Sequence, residues 1–343
     1  MNYKFIWVIS CFVVGLIACN KAITEIENFV GFQQPTHFPA PTYNFAANTV
    51  SKDGFALGRK LFYDPILSAD NSISCGSCHI QSSAFTQHGH SVSHGIFDQL
   101  GTRNSLPIMN LAWNTNFLWD GGVFNLDLQP IIPITAPEEM GESMANVLQK
   151  LRNNGTYAPM FQKAFGSTDI NATVVLKALS QFMLMCVSDQ SKYDSVKRNQ
   201  ASFTEAESKG YTVFQQKCNG CHTEPLFTNF SFKNNGLAPS IIDDKGRYNI
   251  THQDNDLYKF RVPSLRNLFY TAPYMHDGRF FTLNAVLAHY DHQVQPSTTL
   301  DVIFTQNNPI GIPLSNTEQQ QLLAFLNTLN DANFISNRNL SEQ

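Results

Sequence analysis

The string Cys-x-x-Cys-His occurs twice in this 343-residue chain, as Cys75-Gly-Ser-Cys78-His79 and as Cys218-Asn-Gly-Cys221-His222. Two thiols with this spacing can form thioether bonds to the vinyl groups of a haem, and the histidine that follows can bind the iron. A zinc site or a thioredoxin-like dithiol also uses paired cysteines, but neither requires a histidine directly after the second one. The repeat therefore predicts two covalent haem c groups, with His79 and His222 as iron ligands.

The bulk composition favours two haem domains. With 343 residues and 43% hydrophobic content, the chain can form two moderate cores, and each half contains one haem string. We expect the first domain to span residues 51–195 and the second residues 196–343. The formal net charge is −4, and no basic patch indicates nucleic-acid binding.

The amino terminus resembles an export signal. Lys4 precedes an apolar run over residues 5–18, which is too short to span a bilayer comfortably but is typical of a signal-peptide core. The residues before Cys19, Leu16-Ile-Ala18, resemble a bacterial lipobox. We therefore predict a signal peptide over 1–18, lipidation of Cys19 and a tether over 19–50. The protein would be exported to the periplasmic side and would contact the membrane only through the lipid. The alternative is an ordinary secreted protein in which Cys19 is incidental.

Helical patterns flank both haem strings. Leu57 and Leu61 have helical spacing within residues 54–63, ahead of the first string. A capping box at Thr204 to Glu207 starts a helix that leads into the second string. Amphipathic helices over 173–188 and 315–330 would close the two domains. This arrangement predicts a mainly α protein with two cytochrome c-like haem domains, long loops and little sheet.

Several further motifs, in a fixed order over about residues 52–330, resemble those of the bacterial diheme cytochrome c peroxidase and MauG-type family. The matching stretches are Leu61-Phe-Tyr-Asp64, Ser91-Val-Ser-His94-Gly95, Arg103-Asn104-Ser105, Trp119-Asp-Gly121, Gln129, Glu139-Met140-Gly141, Val262-Pro-Ser-Leu-Arg-Asn267 and Thr271-Ala-Pro-Tyr-Met-His-Asp-Gly278. The resemblance implies an oxidoreductase that reduces hydrogen peroxide to water at the first haem, with electrons relayed from the second.

The resemblance also assigns roles on the peroxide side of the first haem. It implies that Glu139 is the catalytic acid and base, in preference to the neighbouring Glu138, and that Gln129 is the distal glutamine. Trp119 would be the relay between the haems, although a core tryptophan is the simpler alternative. His94 matches a histidine that caps the resting iron in many of these peroxidases, whereas MauG-type enzymes leave that iron open.

Two further metal assignments follow from the resemblance. Asn104, Thr271 and Pro273 match a calcium site whose ligands are largely carbonyl oxygens. For the second haem, the axial position opposite His222 falls at Tyr290, while Met275 is the alternative because a Met–His haem is the usual electron-transfer arrangement. Methionine occupies that position in the peroxidases and tyrosine in the MauG-type enzymes.

Three functions remain open at this stage. The first is peroxide reduction with electrons from a small cytochrome c or cupredoxin. The second is MauG-type oxidation of side chains on a partner protein, which a tyrosine ligand would favour. The third is a non-catalytic diheme electron carrier, for which Glu139 and Gln129 would have no use.

Overall fold

A computed structural model describes residues 29–342 of the chain. The predicted signal peptide, the predicted lipidation site at Cys19 and the first part of the predicted tether lie outside the described residues. Within residues 29–342 the α-helices, numbered α1 to α12 in chain order, span Lys52–Tyr63, Cys75–Cys78, Ile131–Thr135, Met144–Asn153, Tyr157–Phe165, Ala172–Leu184, Lys192–Lys197, Glu205–Lys217, Tyr248–Thr251, Leu283–Ala288, Asn316–Asn327 and Ala332–Ile335. Several short 3₁₀ turns and a π-helical segment over His289–Gln293 complete the helical structure.

Strands contribute little to the described part of the chain. β1 (Phe232–Lys233) pairs with β2 (Phe260–Arg261) in an antiparallel two-stranded sheet. Long loops connect the remaining elements. The prediction of a mainly α fold with long loops and little sheet is confirmed. None of the helices within residues 29–342 combines the length and the apolar character needed to cross a membrane.

Two closely packed helix pairs organise the molecule. α1 crosses α6, and α8 crosses α11. A glycine lies at each crossing: a Cβ atom on Gly58 would lie 1.9 Å from the carbonyl oxygen of Ala178, and one on Gly210 would lie 1.8 Å from that of Gln321. The helices can therefore approach this closely only because these positions lack a side chain. Each haem string follows the first helix of one pair.

Side-chain caps set the starts of these helices. Ser51 accepts a hydrogen bond from the Gly54 amide at the start of α1, and complete capping boxes head α8 at Thr204 and α11 at Ser315. The predicted helices over 54–63, 173–188 and 315–330 correspond to α1, α6 and α11. The closing helices are shorter than predicted, since α6 ends at Leu184 and α11 at Asn327.

The packing of residues 31–50 differs from the predicted tether. Gly31 to Glu342 form one compact unit, and Phe38 and Asn48 are buried within it. The backbone amide of Tyr43 donates to the carbonyl of Ala112, and the Tyr43 hydroxyl donates to Asp127 at 2.7 Å. This segment is therefore an ordered part of the body, because its aromatic and amide side chains find partners that its irregular sequence did not indicate.

Aromatic side chains fill the core around both helix pairs. Phe55, Phe62 and Phe182 pack where α1 crosses α6. The second cluster surrounds Phe325 and includes Tyr193, which lies before the predicted domain boundary at residue 195. The division into two haem domains at that boundary stays a prediction.

Candidate functional site

The first haem string lies on α2 and the residue that follows it. His79 ends the helix, and its Nδ1 lies 2.7 Å from the carbonyl oxygen of Phe85. Loss of hydration lowers the pKa of His79, only partly opposed by hydrogen bonds to the Phe85 and Leu106 backbone. The ring is therefore neutral at pH 7. With Nδ1 donating its hydrogen to the carbonyl, the lone pair of Nε2 is available to a metal ion.

The second string repeats this geometry. Nδ1 of His222 lies 3.2 Å from the carbonyl oxygen of Phe227 and 3.1 Å from that of Pro263. Desolvation lowers the pKa of His222 to about 4. Phe85 and Phe227 both have left-handed backbone conformations, with φ of 61° and 56°. In both halves, a tight turn after the string thus returns a carbonyl oxygen to the histidine.

The four string thiols are unpaired and partly buried. Desolvation, together with the charge of the neighbouring thiol, raises the pKa of Cys75 and of Cys218 to about 12. None of the four thiols therefore has the lowered pKa of an activated thiolate. This chemistry suits thioether attachment of a haem and does not suit a dithiol redox site.

A large cavity opens beside the second string. It has about 1440 Å³ of empty space, part of it open to solvent, and apolar side chains form most of its wall. Cys218, Cys221 and His222 line it, and so do Tyr290 and Met275. A thiol pair, a neutral imidazole and an apolar cavity of this size fit a covalently bound haem.

Both candidates for the other axial ligand of that haem face the same polar group. Nδ2 of Asn235 lies 3.5 Å from the hydroxyl oxygen of Tyr290 and 3.5 Å from the sulfur of Met275. Tyr290 lies in the π-helical segment, and desolvation raises its pKa. The adjacent His289 is buried and bonds through Nε2 to the carbonyl oxygen of Asn235. The structure therefore brings Tyr290 and Met275 together and engages His289 elsewhere.

Glu139 lies next to the first string. Its charge contributes to the raised pKa values of both Cys75 and Cys78, which are the thiols of that string. The side chain is accessible to solvent, yet the surrounding protein desolvates the carboxylate, and this desolvation together with the charge of Glu138 raises the pKa of Glu139. A carboxyl group with a raised pKa keeps its proton to higher pH than an ordinary glutamate, and it can serve both as proton acceptor and as proton donor.

The loop that carries His94 packs against the turn that carries Glu139. The Ile96 amide donates to the carbonyl oxygen of Glu139 at 2.8 Å, and a Cβ on Gly95 would lie 2.1 Å from the carbonyl oxygen of Glu138. The carbonyl oxygen of His94 lies 3.7 Å from the sulfur of Cys78. The loop and the turn thus both lie beside the first string.

The His94 ring and the Gln129 amide have different surroundings. Nδ1 of His94 lies 2.5 Å from a carboxylate oxygen of Asp98, and the His94 side chain is 37% exposed. Gln129 makes no side-chain hydrogen bond within residues 29–342, and only the short helix α3 separates it from the turn with Glu139. These contacts do not test the roles predicted for His94 and Gln129, which stay predictions.

Trp119 is buried and lines the cavity of the second string. Its ring nitrogen donates to the carbonyl oxygen of Asn104 at 2.8 Å, and its own carbonyl oxygen accepts from the Arg261 amide. Beside it, Arg103 bridges Asp120 and Asp244 with nitrogen–oxygen distances of 2.6 Å. These contacts fix the indole at the wall of the cavity.

Comparison with known proteins identifies the family. A family model for di-haem cytochrome c peroxidase matches residues 52–202. Over 305 residues the chain is 36% identical to the methylamine utilization protein MauG of Methylorubrum extorquens, a match that covers 87% of this chain and 83% of that protein. The chain belongs to the di-haem cytochrome c peroxidase family. The predicted family resemblance is therefore confirmed, and membership implies two c-type haems.

Two further similar proteins, one matched by sequence and one by its solved structure, extend the comparison. The chain is 31% identical to cytochrome c551 peroxidase of Nitrosomonas europaea, over 69% of this chain and 72% of that protein. A solved structure of a MauG-like protein associated with microbial copper homeostasis matches with a TM-score of 0.81 and 30% identity, covering 90% of this chain and 98% of that one. Relatives thus include both peroxidases and MauG proteins.

The predicted calcium ligands all line the cavity of the second string. They are Asn104, Thr271 and Pro273. The backbone oxygen of Asn104 accepts from Trp119, and the hydroxyl of Thr271 donates to the carbonyl oxygen of Leu268 at 3.3 Å. Within residues 29–342 no cluster of three or more His, Cys, Asp or Glu side chains could hold a metal ion. Because the predicted ligands are mainly carbonyl oxygens, calcium stays a prediction.

Sequence reasoning missed three groups in these sites. They are the carbonyl oxygens of Phe85 and Phe227, which orient the histidines, and the amide of Asn235. The Asn-Asn-Gly string at 234–236 indicates a turn. That signal gives no direction for the Asn235 side chain, because the direction depends on contacts with residues far along the chain.

Proposed function

We propose that this protein is a di-haem oxidoreductase that reduces hydrogen peroxide to water at the haem of the first string. The position of Glu139 beside the thiols of that string carries the proposal. When bound, the two haems supply the iron centres that receive electrons and pass them to peroxide. Water formation consumes two electrons and two protons per peroxide, so the site also needs a residue that moves protons.

Glu139 is the proposed proton carrier. As a carboxylate it takes the proton from the near oxygen of peroxide and delivers it to the far oxygen, so that water leaves as the oxygen–oxygen bond breaks. Desolvation and the neighbouring Glu138 raise its pKa, which matches a group that must both take up and release a proton. The amide of Gln129 makes no side-chain hydrogen bond within the described residues, and it is the proposed hydrogen-bonding partner that orients peroxide beside Glu139.

Trp119 is the proposed electron relay between the two haem sites. It lines the cavity of the second string, and its ring nitrogen donates to the backbone of Asn104. Two residues further along, the backbone of Leu106 is hydrogen-bonded to His79 of the first string. An indole is oxidised more readily than an aliphatic side chain. His94 is the proposed ligand of the first iron in the resting state. It would leave that iron before peroxide binds.

The remaining parts of the proposal concern the environment of the protein. We place it on the periplasmic side, anchored through a lipid on Cys19 after removal of residues 1–18. A small cytochrome c or a cupredoxin is the proposed electron donor. Asn104, Thr271 and Pro273 are the proposed ligands of a calcium ion, since backbone oxygens suit a hard cation.

Rapid mixing of the reduced two-haem protein with hydrogen peroxide tests the proposal. We expect peroxide-dependent oxidation of both haems, and we expect Glu139→Gln to slow it by about 10²–10⁴-fold because an amide cannot carry the proton. Glu138→Gln is the matched control and should retain the rate at neutral pH. A parent protein that does not react with peroxide would instead favour the non-catalytic electron carrier.

A second candidate function is oxidation of side chains on a partner protein. The position of Tyr290 in the cavity of the second string favours it. An oxygen ligand stabilises oxidised iron, whereas a thioether from Met275 favours the reduced state and raises the potential. If Tyr290 is the ligand, Tyr290→Phe will change the oxidised spectrum of the second haem and Met275→Leu will leave it nearly intact. The opposite result would disfavour partner oxidation.

A further inference from the structure

Asn235 links the two candidate ligands of the second haem. Its amide nitrogen lies 3.5 Å from the Tyr290 hydroxyl oxygen and 3.5 Å from the Met275 sulfur, and all three residues line the same cavity. An amide nitrogen carries two hydrogens, so both contacts can form at once. The Tyr290 oxygen and the Met275 sulfur are therefore no farther apart than twice 3.5 Å. Both atoms lie in one region of the cavity, where they compete as ligands of the same iron.

The backbone around Asn235 is firmly held. Buried Asn234, directly before it, donates to the hydroxyl oxygens of Ser297 and Thr299 at 3.0 and 2.8 Å. The carbonyl oxygen of Asn235 is bonded to the ring of His289 at 3.0 Å. These contacts fix the main chain at Asn234 and Asn235. The side-chain amide of Asn235 therefore reaches the cavity from a fixed backbone position.

The two candidate ligands are held with different rigidity. The Tyr290 ring is stacked on Phe304, with an angle of 5° between the ring planes. Met275 has a flexible side chain on a residue whose φ is 74°, an uncommon value for methionine. Tyrosine therefore has a preset direction, whereas the methionine sulfur can move toward or away from the centre of the cavity.

We propose that Asn235 is a positioning residue that directs Tyr290, rather than Met275, to the iron of the second haem. Its amide hydrogens discriminate between the two ligands. A hydrogen bond to a negatively charged oxygen, as in a tyrosine bound to oxidised iron, is strong, whereas a thioether sulfur is a weak acceptor. The shared amide thus stabilises the oxygen ligand more than the sulfur ligand. This inference rests on the two-haem site of the proposed function but not on peroxide turnover.

Replacement of the amide tests the inference. Asn235→Leu removes both donors, and Asn235→Asp keeps the side-chain size but also removes them. The oxidised, haem-loaded proteins are compared by optical and paramagnetic resonance spectroscopy and by redox titration. In both variants we expect partial loss of the oxygen-ligated signal, appearance of the charge-transfer band of a methionine-ligated ferric haem, and a rise in midpoint potential.

Two controls make the result specific. In Asn235→Leu combined with Met275→Leu, the methionine band should disappear. Asn333→Leu changes an exposed amide whose side-chain hydrogen bond within residues 29–342 goes to Gln190, and it should leave the spectrum unchanged. Haem content, measured as the pyridine haemochrome, shows whether each variant has folded around both haems. Unchanged spectra and potentials in both Asn235 variants would overturn the inference, as would methionine ligation in the parent protein.

Peroxide reactivity is measured separately on the same set of proteins. A parent that shows the expected spectral changes on substitution of Asn235 but no reaction with peroxide would refute the proposed function and support the positioning role. A parent that reduces peroxide, but whose spectrum does not change when Asn235 is substituted, would support the proposed function and refute the positioning role.

Discussion

Arg266 places its two terminal nitrogens on the two carboxylate oxygens of Asp194, at 2.9 and 2.8 Å, and neither side chain has exposed surface. Burial alone would raise the pKa of Asp194. The hydrogen bonds and charge of Arg266, with further hydrogen bonds from Ser191 and His37, instead lower it to about 2. This pair joins α7 to the 262–267 motif, and His37 adds the ordered segment over residues 31–50 to the same network.

We predict that Asp194→Asn lowers the free energy of unfolding by about 3–5 kcal/mol at pH 7, because it leaves the Arg266 charge buried without a counter-charge. The pKa of Asp194 in the folded state lies below the ordinary value of about 3.9. Its stabilising contribution is therefore complete above about pH 4 and is lost as the pH falls toward 2.

Urea unfolding of the haem-loaded protein, followed across this pH range, measures the contribution of Asp194. Asp254→Asn is the matched control, since Asp254 is exposed and its carboxylate has no hydrogen-bond partner within residues 29–342. Equal unfolding free energies for the two variants at pH 7 would show that the buried pair does not stabilise the fold.

The glycines at the helix crossings give a second prediction. Gly58→Ala and Gly210→Ala each place a methyl group less than 2 Å from a backbone oxygen of the opposing helix. Alanine stabilises an isolated helix relative to glycine, but here the added methyl group forces the two helices apart. We therefore expect each substitution to lower the free energy of unfolding by about 1–3 kcal/mol. Thermal unfolding measures it. Gly155→Ala, which has open space around the new methyl group, should change little; a similar loss there would mean that the crossings are not responsible.

Much of the fold could be predicted because local signals and tertiary contacts agree. The capping box at Thr204 starts its helix as expected, and the helix predicted over 315–330 begins at a second box at Ser315, since the caps satisfy amides within the same turn. The helix before the first string was indicated by the spacing of Leu57 and Leu61, and both residues are buried. In each case the information lies within a few residues.

The remaining features depend on residues that are distant in sequence. The segment over residues 31–50 is ordered because Tyr43 meets Asp127 and His37 meets Asp194, neither of which a local pattern reveals. The convergence of Tyr290 and Met275 on Asn235 has the same origin. The order of the family motifs suggested which residues belong to the site, but it could not show which side chains share a hydrogen-bond donor.

Haem attachment gives a third prediction. We expect both haems to remain with the polypeptide after extraction in acidic acetone, because each is held by its own thiol pair. Replacing Cys218 and Cys221 together with alanine should leave one covalent haem, as measured by the pyridine haemochrome. Cys186→Ala is the control: this thiol is buried outside both strings, so two haems should remain. A parent protein with one covalent haem would contradict the two-haem assignment.

The raised pKa of Glu139 predicts how peroxide reduction depends on pH. The carboxylate form must accept a proton from peroxide, so the rate should fall as the pH drops through the pKa of Glu139. Desolvation and the charge of Glu138 raise that pKa, so the fall should begin above the range of an ordinary glutamate, whose pKa is about 4.3. Rapid-mixing rates measured across acidic and neutral pH will locate it.

Two substitutions separate this titration from other acid effects. Glu139→Gln should be slow at every pH and should lack the acid fall, because the titrating group is gone. Glu138→Gln removes a negative charge that raises the pKa of Glu139, so the fall should move to lower pH while the neutral rate stays the same. Exposed Glu205 is a distant control, and Glu205→Gln should leave the profile unchanged. If the acid fall persists in Glu139→Gln, another group controls it and Glu139 is not the proton carrier.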